Sequence, residues 1–160
     1  MIRPMSWTLV RSLAGALLLT TVLSGPATAA GPRPPEAKDR CPVCGMFVEK
    51  YRNWTATVVF EDGSQVFFDG PKDLFKFLLD PARYGREESS IADVFVTDYY
   101  TTKFVNARDT LFVVGSDVTG PMGPELVPIT TQEHADSFRA DHGGEQVLTF
   151  DEVTAEAIPK

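Results

Sequence analysis

Apolar and polar positions alternate along this chain with two different periods, and the periods recur in the same order in both halves. Residues 54–60, "WTATVVF", are rich in β-branched and aromatic side chains and predict a strand. Asp62-Gly63 follows. Both positions tolerate positive φ, so they predict a tight hairpin with residues 64–68 returning. Gly70-Pro71 then opens a helix, because proline at the first helical position removes only an N–H that would be unpaired anyway. Its predicted stripe is Leu74, Phe75 and Leu78, with Phe77 towards the edge, and Pro81 ends it. Residues 91–99 read as a further strand. Val94, Val96 and Asp98 share one face and Phe95, Thr97 and Tyr99 the other.

The second half repeats the sequence of elements. Residues 110–116 predict a strand, "TGPMGPE" a Gly/Pro loop, and residues 126–129 a short strand. Thr130-x-x-Glu133 reads as a capping box opening a helix that turns Ala135 and Phe138 inward and stops at Gly143-Gly144. Residues 146–150 form the next strand, and Asp151 is placed to cap a short last helix. The expected fold class is α+β: two ββαβ-type units with small antiparallel sheets, each packed by a helix.

The N-terminal stretch changes this picture. Arg3 and Arg11 precede an apolar run over about residues 12–23, shorter than the ~20 residues of a spanning helix. Ala27 and Ala29 then give a small-x-small pattern, which predicts a signal peptide over residues 1–29 cleaved before Ala30. No cysteine precedes Cys41, so a soluble periplasmic protein is expected, not a lipoprotein. Residues 30–40, "AGPRPPEAKDR", read as a flexible leader. A single domain is expected over residues 41–158, with halves at about 41–100 and 101–158.

Charge narrows the partners. The chain has 15 Lys+Arg and 22 Asp+Glu; without residues 1–29, which hold two arginines and no acid, 13 face 22, a net of −9. Such a surface disfavours nucleic acid and anionic membranes. No assembly of nucleophile, base and oxyanion hole is visible, so the expectation is a binding protein rather than an enzyme.

The chemistry concentrates in "CPVCGMFV", which begins at Cys41 and holds both cysteines of the chain. A Cys41–Cys44 disulfide would close a very small loop and contribute little as a staple. A thiol–disulfide oxidoreductase would carry its motif between a strand and a helix, where the helix N-terminus lowers the thiol pKa. Here the motif follows a leader. A structural zinc site wants four ligands, and the two histidines, His134 and His142, lie about 12 Å apart along one predicted helix. Zinc could still use one of them with a carboxylate. A cuprous ion accepts thiolate and thioether. Outside residues 1–29 the methionines are Met46, inside the cysteine motif, and Met122, inside "GPMG", where glycine and proline would present its thioether.

The motifs "CPVCGMFV", "FFDGPKDLFKFL", "VTDYYTTKFVNARDTLFVVGSDVTGPMGPELVPI" and "DHGGEQVLTFDEVT" resemble those of the NosL family, accessory proteins of nitrous oxide reductase maturation. The resemblance runs from Cys41 to about Ile158. It implies a pair of ββαβ units and a periplasmic Cu(I) metallochaperone serving nitrous oxide reductase or its ABC-type maturation complex. Carried onto this sequence, it implicates Cys41, Cys44, Met46 and Met122 as metal ligands, with His134 and His142 in reserve. Family members are commonly lipoproteins, and this chain departs from that pattern. The resemblance assigns no site role to "FDGPKD" or "DYY"; Asp69 is read as a possible helix cap, and Tyr99 and Tyr100 as packing residues.

Overall fold

A computed structural model describes residues 31–160; the expected signal peptide over residues 1–29 and its expected cleavage before Ala30 lie outside the described residues. The first unit contains β1 (Ala56–Phe60), β2 (Gln65–Phe68), α1 (Pro71–Leu79), β3 (Ile91–Thr97) and β4 (Phe104–Asn106). The second contains β5 (Leu111–Ser116), β6 (Thr119–Gly120), β7 (Gly123–Pro124), β8 (Val127–Ile129), α2 (Gln132–His142) and β9 (Gly143–Thr149). The first sheet runs β2-β1-β3-β4 and the second β8-β5-β9, with every pair antiparallel. The central strand of each unit thus lies between the strand that precedes the helix and the strand that follows it. Each central strand also shifts register near its end, at Val59/Phe60 in β1 and between Val114 and Ser116 in β5.

The predicted α+β class and both ββαβ units are present. The hairpin turns at Asp62-Gly63 as expected: Gly63 takes a φ of 78° and the Asp62 carboxylate accepts from Ser64 N–H. Val94, Val96 and Asp98 are all buried on one face of β3 and its extension.

Several expectations need correction. The "TGPMGPE" segment is a small two-stranded hairpin, β6–β7, turning at Pro121-Met122, because Gly123 takes a φ of 88° that lets the chain fold back at once. β4 was not foreseen; three residues are too few to show a period. Thr131, one residue beyond the predicted cap, accepts from His134 N–H and starts α2, so Thr130-x-x-Glu133 is not the capping box. A reciprocal box does occur, between Thr149 and Glu152 at the last 3₁₀ turn, and Asp151 lies inside that turn. Phe77 is fully buried and Leu78 only half so. Phe77 packs against Phe68 (5.2 Å between centroids), Phe60 and Tyr84, because α1 lies on the sheet over that side.

The neighbouring Phe75 reaches into the second unit, 4.9 Å from Phe112 and 5.3 Å from Phe150. One apolar core therefore spans α1, β1–β3, β5 and the C-terminal segment, and a smaller one lies under α2 around Val127, Ile129 and Phe138. The backbone also joins the units, with Tyr99 N–H donating to Pro128 O and Thr130 N–H to buried Asp98. Residues 31–40 make specific contacts: Arg33 pairs with Asp39 at 2.6 Å and lies over the Phe67 ring. Among the described residues no helix is long and apolar enough to cross a membrane.

Candidate metal centre

The two cysteines occupy a turn tied by its own backbone. Cys41 N–H donates to Met46 O (2.9 Å), Gly45 N–H donates to Cys41 O (2.8 Å), and Gly45 has a φ of 80°. That φ is cheap only for glycine, so Gly45 is what allows the chain to reverse between Cys44 and Met46. The turn packs on the start of α1. Cys44 Sγ–H donates to Asp69 Oδ1 (3.1 Å), and Cys41 Sγ–H to Asp73 Oδ2 (3.4 Å). Asp69 and Asp73 stand four residues apart across the Gly70-Pro71 helix start, which places both on the same side. One donor atom from each of Cys41, Cys44, Asp69 and Asp73 lies within 4.8 Å of the others, the span of a single ion's coordination sphere.

Burial sets the protonation of this cluster. Cys41 and both aspartates are buried, and Cys44 is half-buried. Desolvation is the largest influence on each thiol; it drives Cys41 far above the usual range and pushes Cys44 up to about 12, with Asp69 adding to both. The thiols are therefore held neutral and donate to carboxylates. Lys76 supplies a compensating positive charge, 2.9 Å from Asp73 Oδ1. A disulfide-exchange enzyme needs a stabilised thiolate, and this environment does the opposite.

The predicted site residues fall in three groups. Cys41 and Cys44 converge, and half-buried Met46 closes their turn through its carbonyl. Met122 arrives from the second unit. Lys72 Nζ, on the first turn of α1, donates to Met122 O (2.8 Å), which docks the β6–β7 hairpin on the helix turn that also carries Asp73. Met122 is 47 % exposed, among the most exposed large apolar side chains described. His134 and His142 do not join this cluster. His134 packs on Tyr100 (5.0 Å between centroids), and His142 Nδ1 lies 3.1 Å from Asp117.

Sequence reasoning gave Asp69 and Asp73 no ligand role. The available signal was their i, i+4 spacing around Gly-Pro in a segment otherwise dominated by apolar side chains. Nor does Asp69 cap α1: the N-cap is Gly70, without any side-chain cap of its own, and the Asp69 carboxylate is engaged by Cys44 instead.

Residues 32–158 match the NosL family. Among solved structures, the crystal structure of the copper chaperone NosL from Shewanella denitrificans is similar, with 28 % identity and a TM-score of 0.69 over 78 % of this chain and 96 % of that one. The solution NMR structure of apo-NosL from Achromobacter cycloclastes is 24 % identical, with a TM-score of 0.47 over 64 % of this chain and 87 % of that one. No curated protein matches the chain.

Proposed function

The chain belongs to the NosL family, and from that premise we propose that it is a copper chaperone whose cargo is Cu(I), held by Cys41 and Cys44 with thioether help from Met46 and Met122. The observation that carries this reading is the convergence of two unpaired thiols in one turn, beside a hairpin that brings a methionine to the same helix. Thiolate and thioether are the soft donors that favour Cu(I). Binding must displace thiol protons, and the carboxylate already hydrogen-bonded to each sulfur can take one. Release would proceed by ligand exchange: a partner's sulfur or imidazole enters from the exposed Met122 side as the neutral thioether leaves. The partner we propose is nitrous oxide reductase or its ABC-type maturation complex, in the periplasm, after cleavage before Ala30. This partner and compartment are what the motif resemblance implies, and intact mass of the exported chain tests the cleavage.

Zinc is the second reading, and one feature favours it. Two thiols and two carboxylates in a 4.8 Å cluster can form a four-coordinate zinc site without any histidine. The separating measurement is an anaerobic titration of reduced protein with Cu(I) against a competing chelator, repeated with Zn(II). The copper reading expects one Cu(I) per chain, with Zn(II) far weaker and only Cu(I) binding weakened by Met122→Leu. Equal competition by Zn(II), indifferent to Met122, would establish the zinc module.

A further inference from the structure

Glu125 is a carboxylic acid buried to 3 % exposure, and neither the thiol cluster nor the core accounts for it. It follows β7 directly and points at the N-terminus of α1. Its Oε1 accepts from Lys72 N–H and from Leu126 N–H. Its other oxygen lies against Gly70 and Gly120. A Cβ on Gly120 would come within 2.9 Å of it, and one on Gly70 closer still. Two glycines from different units thus make the space for this one carboxyl group. Because α1 has no side-chain cap from its own chain neighbours, Glu125 fills that role from 53 residues away. Beside it, the buried Lys72 side chain reaches back to the carbonyl of Met122. Glu125 and Lys72 therefore cross-link the same two pieces in opposite directions, carboxylate to helix and ammonium to hairpin.

We propose that Glu125 is a positioning residue for the metal site: it latches the β6–β7 hairpin onto the first turn of α1 and so fixes where the Met122 thioether meets the ion held by Cys41 and Cys44. The geometry supports a dedicated latch. The hairpin is short, its strands pair only over Thr119–Pro124 and Gly120–Gly123, and it belongs to neither larger sheet. Two strand residues on each side cannot hold a fixed pose in water by themselves. Burying a carboxyl group is costly unless hydrogen bonds compensate, and here burial raises the Glu125 pKa to about 8, with Lys72 opposing and Asp73 adding to the shift. A group kept at that cost, clear of the apolar core, needs a reason, and the pose of the hairpin supplies one. Outer partners that orient a ligand typically matter by ~10–100-fold in metal affinity.

The proposal rests on the copper reading for its consequence but not for its first test. Full-chain mature protein, metal-free, is compared as wild type, Glu125→Ala and Glu125→Gln by amide hydrogen exchange over residues 119–126 and by the line width of the Met122 methyl carbon signal. The latch expects faster exchange and a mobile methyl in Glu125→Ala, with Glu125→Gln close to wild type because its amide oxygen still accepts both N–H groups. Unchanged exchange and methyl signal in a folded Glu125→Ala would overturn the latch, whatever the metal does. The second test is a Cu(I) affinity cycle with Met122→Leu. Glu125→Ala should weaken Cu(I) by ~10-fold or more when Met122 is present, and by no more than about 2-fold in the Met122→Leu background. Equal losses in both backgrounds would mean that Glu125 acts on the fold rather than through Met122, and the positioning role would fall. If the wild type binds no Cu(I), the copper reading and the positioning role fail together, and the exchange result alone decides whether the hairpin is latched.

Discussion

The two ββαβ units share a strand order but treat their helices differently. In α1 six of the nine residues are buried, including Lys72 and Asp73, and the helix start is capped from the other unit. In α2 only Ala135 and Phe138 of eleven are buried, and Thr131 caps the helix locally. The connection after the central strand differs too. Between β1 and β2 it is the tight turn at Asp62-Gly63, whereas between β5 and β8 it runs over residues 117–126 and contains the β6–β7 hairpin. The first unit holds the thiols and carboxylates, and the second contributes a loop to them. The same scaffold has therefore been put to two uses, a seat for polar chemistry and a support that delivers a methionine-bearing hairpin to it.

Core truncation gives the largest expected effect and tests the asymmetry directly. Phe77→Ala and Phe138→Ala should each cost ~3–5 kcal/mol in chemical denaturation, since both rings are fully buried. Only Phe77→Ala should also weaken Cu(I), because only α1 carries Asp73 and receives the hairpin. Equal loss of binding in both variants would mean that the units are not divided in function.

Ligand substitution comes next. Cys44→Ser should lower Cu(I) affinity by more than the ~100-fold upper end for an outer partner, as a soft thiolate gives way to a hard neutral donor. His134→Ala and His142→Ala should change it by less than about 2-fold, since both side chains are engaged with Tyr100 and Asp117 instead. A comparable loss at either histidine, by the same titration, would restore the second unit as a source of nitrogen ligands.

A third effect is a slope in pH. Glu125 has its folded pKa raised from 4.5 to about 8 by burial, so its contribution to stability is fully present below pH 4.5 and is lost as the pH rises towards 8. One proton gives at most about 1.4 kcal/mol per pH unit. Denaturation midpoints of Glu125→Gln should lack this slope between pH 5 and 8; an unchanged slope would assign it to other groups. Smallest is the cap of α2. Thr131→Ala should cost ~1 kcal/mol in the same denaturation assay, without effect on Cu(I).

The longer strands and both helices were legible, unlike β4 and the β6–β7 hairpin, because they carry pattern or boundary signals over enough positions: Val94, Val96 and Asp98 alternate along β3 and its extension, and Gly70-Pro71 marks the α1 start. The cysteine turn was legible as chemistry. What escaped depends on pairs distant in sequence. Asp69 and Asp73 look like ordinary helix-start acids until the thiols lie over them, and no local rule links Glu125 to Lys72 N–H across 53 residues. Phe77 escaped for a similar reason. A stripe drawn from one helix cannot show that α1 is covered on two sides, by Phe60 and Phe68 on one and by Phe112 on the other. The register of the second helix cap was missed by one residue because adjacent threonines offer the same hydroxyl.

The cysteine turn has a kinetic consequence. Its main-chain hydrogen bonds, Cys41 N–H to Met46 O and Gly45 N–H to Cys41 O, do not involve the sulfurs. Those bonds can persist when the thiol contacts with Asp69 and Asp73 are exchanged for an ion, so on the copper reading proposed above the donors are already spaced for its arrival. On that reading, hand-over is governed by how fast a partner's donor can enter the coordination sphere, and the chain would empty and refill without a folding step in its cycle.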